Sequence, residues 1–262
     1  AVMNGEDQTA FCAVRPPGHH ATGTTAMGFC LFNNIAVAAA YACDKHGLER
    51  VAIVDFDVHH GNGTQAIFER DPRVLFASSH QWPLYPDSGA RSETGVGNIF
   101  NAPLPPETDG ARFRAAWSGS LLPAIDAFRP QLLLVSAGFD AHRRDPLAEL
   151  RLEAGDFGWI ARELVQLANR HCRGRIVSML ESRLGRVGTD LALAASTAVT
   201  NGLTQAVGTP LLDLAQRGLQ ISEAAAHRRR WQDREPQLAS PRRPQAAVVP
   251  IISSAGVGSH TS

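Results

Sequence analysis

Short apolar runs recur along the chain, and polar or glycine-rich residues bound each of them. Such runs are typical of strands that are buried in a parallel sheet. Between the runs, apolar residues return at the spacing of one helix face. The pattern predicts strands at 10–14, 50–56, 73–79, 130–140 and 175–181.

The segments between these strands carry helix start and stop signals. Residues 33–47 are the clearest case, because Asn33 or Asn34 can cap the start and Gly47 can end the helix. Pro123 predicts a kink or break in a longer helix. The other predicted helices are 63–71, 110–128, 154–174 and 189–203. Strands and helices in alternation predict an α/β fold, with a mostly parallel sheet flanked by helices.

Two segments of the chain show neither the strand pattern nor the helix pattern. Residues 82–110 are rich in proline and glycine, and a loop of that length is usually functional or disordered. The end of the chain, 226–262, is basic and then rich in serine and glycine, which favours a disordered tail. We therefore expect one α/β domain over 1–225, followed by the tail.

The charge balance, the apolar runs and the cysteines of the chain argue against several classes of function. Lys and Arg balance Asp and Glu at 25 each, so we expect no stable nucleic-acid binding and no membrane attachment through charge. No apolar run is long enough to span a bilayer, and no signal peptide is visible. Four scattered cysteines without a CxxC pair suit reduced thiols, and we expect a cytoplasmic protein. This composition is also compatible with an oligomer.

Polar residues cluster where the predicted strands end. Asp55–His60 follows one strand, Ser78–His80 closes the next, Asp140 closes a third, and His19-His20 follows the first. Because the carboxyl ends of parallel strands meet at one edge of a sheet, we expect these residues to converge there.

The segment Asp55-Phe-Asp57-Val-His59 has the pattern of a metal site. Alternation along extended backbone puts its two acids and the histidine on one side. Two buried carboxylates repel each other unless a cation or donors neutralise them. One imidazole with carboxylate oxygens suits zinc, and Asp140 is the candidate third ligand. Alternatively, these residues cap the next helix or accept hydrogen bonds from loop amides.

The adjacent histidines His19 and His20 follow the rigid turn Pro16-Pro17-Gly18. Imidazole titrates near neutral pH, so a fixed pair beside a metal suits general acid and base chemistry. Alternatively, both are ordinary surface residues. The chain contains no phosphate-binding glycine motif and no GxSxG nucleophile elbow.

Five motifs then match a known family in order and spacing over roughly residues 8–181. The chain resembles the zinc-dependent histone deacetylase and acetylpolyamine amidohydrolase superfamily, and its bacterial, class II-like branch in particular. The resemblance implies an arginase-like α/β fold and hydrolysis of acetyl amides on lysine side chains or polyamines. The motifs are RPPGHHA, GFCLFNN, DFDVHHGNGTQ, HQWPLYPDSG and SAGFDAHRRDPLA.

The resemblance also implies two metal ions. One Zn²⁺ per chain would be held by Asp57, His59 and Asp140. A structural K⁺ nearby would be lined by Asp55, Asp57, His59 and Ser78.

Catalytic and substrate-binding roles follow from the same resemblance. His20 would be the general base and His19 its electrostatic or acid partner. Asp55 would sit behind His19, and Asn62 would take the place beside His20 where some relatives have an acid. The substrate channel would be formed by Gly28 at its base and by Phe29 and Tyr85 as its walls.

The chain departs from the family at two places. Fourteen residues precede Arg15, where the family has a longer segment, so we expect an N-terminally shortened domain. The family's Glu-Gly-Gly-Tyr, whose tyrosine donates to the oxyanion, is replaced by Glu181-Ser182-Arg183-Leu184. Two hypotheses follow. The chain is a zinc amidohydrolase weakened by the missing tyrosine, or a metal-binding pseudoenzyme that recognises acyl-lysine or a partner without turnover.

Overall fold

The computed structural model describes residues 1–181. The predicted helix 189–203, the loop Ser182–Leu184, the domain limit at residue 225 and the tail 226–262 lie outside the described residues. No helix within 1–181 is both long and apolar enough to cross a membrane.

The fold is built on a six-stranded sheet in which every pair of neighbours is parallel. The strand order is β1-β6-β5-β2-β3-β4. The strands are β1 Thr9–Cys12, β2 Val51–Asp55, β3 Val74–Gln81, β4 Ile99–Leu104, β5 Leu132–Ala137 and β6 Ile176–Leu180. The five predicted strands are all present.

The expectation of an irregular stretch over 82–110 is wrong in part, because β4 lies within it. Asn98, Asn101 and Pro103 interrupt the apolar pattern there and hide the strand in the sequence. Among residues 1–181, β4 pairs with β3 alone and forms an edge, where a proline is tolerated because one side of the strand needs no ladder hydrogen bond.

The helices are α1 Asn34–His46, α2 Asn62–Phe68, α3 Gly110–Ala116, α4 Leu122–Phe128 and α5 Ala154–His171. The predicted caps of α1 are confirmed: Asn33 accepts a hydrogen bond from the backbone N–H of Ala36, and Gly47 is left-handed with φ 64°. The predicted single helix over 110–128 is interrupted by a π-helical turn at Trp117–Leu121, just before Pro123. A short 3-10 helix, Val2–Asn4, precedes β1.

Two hydrophobic clusters cover the two faces of the sheet. Alternate residues of β2 point to opposite sides, so Val54 belongs to one cluster and Ile53 to the other. The first cluster contains the buried rings of Trp117 and Phe157 from the α3–α5 side. The second contains Ile35 of α1. Full burial of each such side chain contributes about 1.5–3 kcal/mol, so this packing fixes the sheet that carries the site.

Because all strands are parallel, their carboxyl ends share one edge of the sheet. Asp55, the last residue of β2, is in register with Ser78 of β3 and Ser136 of β5. Ser78 lies inside β3, as the predicted strand 73–79 has it, and the strand runs two residues further than predicted, to Gln81. The predicted convergence of polar residues at this edge is found.

Candidate metal centre and histidine pair

Asp57, His59 and Asp140 come together beyond the ends of β2 and β5. One potential ligand atom from each lies within 4.8 Å of the other two. His59 Nδ1 is 3.1 Å from Asp57 Oδ1 and 3.2 Å from Asp140 Oδ2. Nitrogen and oxygen ligands of a tetrahedral zinc are about 3.4 Å apart, given bond lengths near 2.1 Å. The spacing and the donor set therefore fit zinc.

Backbone N–H groups hold these carboxylates in place. Asp57 Oδ1 accepts a hydrogen bond from the His59 N–H at 2.8 Å, and Asp55 Oδ1 accepts one from the Asp57 N–H at 3.1 Å. Asp140 Oδ1 accepts from the Val58 N–H at 3.0 Å and ties the loop after β5 to the loop after β2. The ligand set is thus fixed by the two loops themselves.

Two glycines leave room for the acids. A Cβ at Gly138 would lie 2.0 Å from Asp57 Oδ2, and a Cβ at Gly61 would lie 2.4 Å from Asp55 Oδ2. Carbon atoms do not approach oxygen that closely, so any side chain at either position would displace a carboxylate.

Each of the tandem histidines has its own partner. His19 Nδ1 is 2.9 Å from Asp55 Oδ2, and His20 Nδ1 is 2.8 Å from Asn62 Oδ1. Asn62 Nδ2 donates to Met27 Sδ, which leaves Asn62 Oδ1 to accept from His20. His20 therefore carries its proton on Nδ1, and its Nε2 has a free lone pair.

The two histidines differ in charge. For His19, burial disfavours the cation, but the negative charges of Asp55 and Asp57 outweigh burial and raise the pKa to about 10. For His20, burial and then the positive charge of His19 lower the pKa to about 3. At neutral pH, His19 is protonated and His20 is neutral, which separates an acid from a base at one site.

The acids of the site are also perturbed. Burial, followed by the negative charge of Asp57, raises the pKa of Asp140 to about 6. Burial would raise the pKa of Asp57 as well, but the positive charge of His19 and hydrogen bonds from His59 hold it well below its usual range. A bound cation would relieve the repulsion between these carboxylates.

Aromatic residues and a glycine flank the histidines. The Tyr85 ring centroid lies 5.1 Å from that of His20 and 6.3 Å from that of His59. Gly28 has φ 55°, and a Cβ there would lie 2.3 Å from His20 Cδ2. The next residue, Phe29, also has positive φ, and 71% of it is exposed. The Tyr85 ring thus lies beside the histidine pair, and Phe29 is an exposed aromatic residue next to Gly28 in the chain.

Further buried polar groups surround this centre. The Glu181 carboxylate accepts hydrogen bonds from the N–H groups of Gly18 and His19. His60 Nδ1 is 2.8 Å from Ser88 Oγ. The Ser78 hydroxyl is 3.0 Å from His80 Nδ1.

Comparison with known proteins decides the family. Residues 1–182 match the family model described as the histone deacetylase domain, which is more than half of the 262 residues. The chain belongs to the histone deacetylase family.

Relatives in this family come from bacteria and archaea as well as plants. The "Histone deacetylase-like amidohydrolase" of Pseudomonas aeruginosa is 41% identical over 221 residues, covering 82% of this chain and 58% of that protein. The "Probable deacetylase" of Archaeoglobus fulgidus is 44% identical over 185 residues, covering 69% of this chain and 51% of that protein. The chain thus spans about half the length of these curated relatives.

A solved structure shares the fold. The "Crystal Structure of HDA15 HD domain" aligns with a TM-score of 0.70 and 33% identity, over 90% of this chain and 68% of that one. Together with the parallel sheet and its flanking helices, this match shows the arginase-like α/β fold that the sequence predicted.

Within this histone deacetylase-family fold, the structure brings together most of the residues expected at the site. Asp57, His59 and Asp140 form one cluster, and the histidine pair lies beside it. Ser78 pairs in register with Asp55, and the role of both in a potassium site stays a prediction.

The sequence alone gave no role to Glu181 or to His60. The signal for Glu181 was available, because this acid follows β6 as Asp140 follows β5. His60 gave no comparable signal, since its partners Ser88 and Gln65 are identifiable only from the folded loops.

Proposed function

We propose that this histone deacetylase-family chain is a zinc-dependent amidohydrolase that removes acetyl groups from lysine side chains or polyamines. The observation that carries the proposal is the cluster of Asp57, His59 and Asp140 next to a histidine pair whose rings are held by Asp55 and Asn62. A metal ligand set alone would fit many activities, but two fixed imidazoles beside it suit the proton transfers of amide hydrolysis.

Asp57, His59 and Asp140 would hold the zinc, which would act as a Lewis acid on the amide carbonyl and the attacking water. We propose one Zn²⁺ per chain and a structural K⁺ lined by Asp55, Asp57, His59 and Ser78. The buried carboxylates, which repel one another without a cation, support both assignments.

His20 is placed to act as the general base. Its Nδ1–H is engaged by Asn62, so Nε2 is free to take a proton from water. His19 keeps its proton through Asp55 and stabilises negative charge that develops nearby. The C–N bond breaks, the amine leaves with a proton, and acetate is the second product.

The exposed aromatic residues suit the substrate. Tyr85 and Phe29 can pack along the aliphatic part of an acyl-lysine or acylpolyamine chain while the amide reaches the histidines. Relatives described as a deacetylase and an amidohydrolase support this class of substrate.

The alternative is a pseudoenzyme that binds acyl-lysine or a partner without turnover. It is motivated by Ser182-Arg183-Leu184, which stand where the family has Gly-Gly-Tyr. Loss of one oxyanion donor lowers turnover by a factor on the order of 10²–10³, so we expect slow hydrolysis.

The test is release of acetate from acetyl-lysine peptides and acetylpolyamines, with the protein loaded with zinc and then stripped by a chelator. We expect slow, metal-dependent release that His20→Ala abolishes and that His46→Ala, in the last turn of α1, leaves unchanged. Release that survives chelation or His20→Ala would refute the mechanism. Saturable binding of the peptide without any acetate would favour the pseudoenzyme.

A further inference from the structure

Glu181 is a buried carboxylate that the proposed chemistry does not use. It directly follows β6 and is 3% exposed. Its Oε2 accepts two hydrogen bonds from successive backbone N–H groups, at 2.6 Å from Gly18 and 3.0 Å from His19. Its Oε1 accepts from the Ser136 hydroxyl at 3.1 Å. Both oxygens are therefore bonded, and the carboxylate is held in one orientation.

The loop that Glu181 contacts carries both histidines. It contains no helix or strand, so no regular ladder of hydrogen bonds fixes its backbone. On its other side, the His19 carbonyl accepts from the Thr64 N–H of α2 at 3.1 Å. The histidine backbone is thus fixed on one side by α2 and on the other by Glu181.

Gly18 itself packs closely against the start of α1. A Cβ at Gly18 would lie 2.5 Å from the backbone nitrogen of Asn34, so the loop is packed tightly against the start of α1. Loss of Glu181 would remove the two hydrogen bonds that hold the N–H groups of Gly18 and His19 in this tightly packed loop.

We propose that Glu181 is a positioning residue for the tandem histidines. By binding the N–H groups of Gly18 and His19, it keeps His19 on Asp55 and His20 on Asn62. The inference rests on the amidohydrolase function proposed above. Glu181 is the residue of the family's Glu-Gly-Gly-Tyr segment that this chain retains, and the inference gives that residue a role.

A matched pair of substitutions separates hydrogen bonding from volume. Glu181→Gln keeps an oxygen for the two N–H groups and an amide that can donate to Ser136. Glu181→Met fills the same space without an acceptor. Because a displacement of about 1 Å at catalytic groups costs on the order of 10²-fold, we expect kcat to fall between 10-fold and 100-fold in Glu181→Met. KM should stay within about two-fold, and Glu181→Gln should retain most of kcat, since the N–H contacts persist.

Controls address folding and metal content. Zinc content and the melting transition are measured for each variant, and Glu69→Ala, a partly exposed acid at the end of α2, serves as the matched control. Should Glu181→Met fail to fold, Glu181→Asp replaces it, because its carboxylate is one methylene short of Gly18 and His19. The expected and the contradicting results are the same for both variants.

A second readout does not depend on turnover. In ¹⁵N NMR spectra of the histidine side chains, wild-type His20 should show the Nδ1–H tautomer that its hydrogen bond to Asn62 requires. We expect Glu181→Met to mix the His20 tautomers and Glu181→Gln to restore them. Wild-type kcat and wild-type ring signals in Glu181→Met would overturn the inference. Failure of the wild type to hydrolyse any acetyl amide would instead count against the proposed function, and the ring signals would still test the role of Glu181.

Discussion

Single positions decide how closely the backbone approaches the histidine pair. Gly28 combines a left-handed φ of 55° with a Cβ position only 2.3 Å from the His20 ring. Any other residue here would be strained, because L-residues adopt that φ rarely and at a cost, and its Cβ would overlap the His20 ring.

The first prediction concerns this glycine. Gly28→Ala should push His20 away from Asn62 and lower kcat/KM for an acetyl-lysine peptide on the order of 10²-fold. Gly23→Ala, in the same loop, is the matched control, because nothing lies within 4 Å of its Cβ position. Equal rates for the two variants would show that Gly28 does not set the position of His20.

Among the secondary-structure elements and loops, the loop between β3 and β4 is held in place by hydrogen bonds to two buried histidines. His60 Nδ1 accepts from the Ser88 hydroxyl at 2.8 Å, and His80 Nε2 donates to the Gly89 carbonyl at 3.0 Å. Tyr85 lies three residues before Ser88, so these bonds help to hold the Tyr85 ring beside His20 and His59. This gives His60 a structural task.

The second prediction follows from that anchor. Ser88→Ala removes the hydroxyl that His60 binds and should loosen the Tyr85 loop. We expect KM for an acetyl-lysine peptide to rise about three-fold to ten-fold, with kcat within about two-fold, because the substrate contact is weakened and the histidines are not. Exposed Ser92 in the same loop provides the control Ser92→Ala. An unchanged KM in Ser88→Ala would contradict this role of the loop.

Elements differ in how well the sequence predicts them. The ends of α1 follow from Asn33 and Gly47, whose capping chemistry is local. The edge strand β4 was hidden because asparagine and Pro103 break its apolar pattern, and only pairing with β3 creates it. The π-helical turn at Trp117–Leu121 depends on tertiary packing, since Trp117 is fully buried and donates to Ser79 from β3.

The residues of the candidate site also differ in how well the sequence predicts them. The spacing of Asp57 and His59 along extended backbone and the shared strand edge were enough to predict that these side chains come together with Asp140. Glu181 could not be assigned a contact from sequence, because its Gly18 partner lies 163 residues away and offers only a backbone N–H. Family resemblance supplied Asn62, Gly28 and Tyr85, which no local pattern would have indicated.

For the whole molecule, buried neutral histidines couple stability to pH. Burial lowers the pKa of His80 to about 4, against 6.5 for an ordinary histidine. Below pH 6.5 the unfolded chain takes up a proton at His80 and the folded chain does not, so acidification destabilises the fold until pH falls to about 4. The loss from this one residue is about 1.4 kcal/mol per pH unit.

The third prediction is that His80→Gln flattens this dependence. The free energy of unfolding, from urea titrations at pH 6.5, 5.5 and 4.5, should fall less steeply in the variant, by about 1.4 kcal/mol per pH unit. The variant is also expected to be less stable at pH 6.5, where wild-type His80 binds Ser78 and Gly89. Parallel curves for the two proteins would show that His80 is protonated in the fold.

We propose above that Asp57, His59 and Asp140 form a zinc centre that hydrolyses acetyl amides. The most direct measurement is acetate release from an acetyl-lysine peptide as zinc is added to metal-free protein, with bound zinc determined on the same samples. We predict that release rises in proportion to bound zinc up to one ion per chain, and that Asp140→Asn abolishes both tight zinc binding and release. Acetate release that is independent of bound zinc, or a wild type that binds no zinc, would show that these residues do not form a catalytic zinc centre.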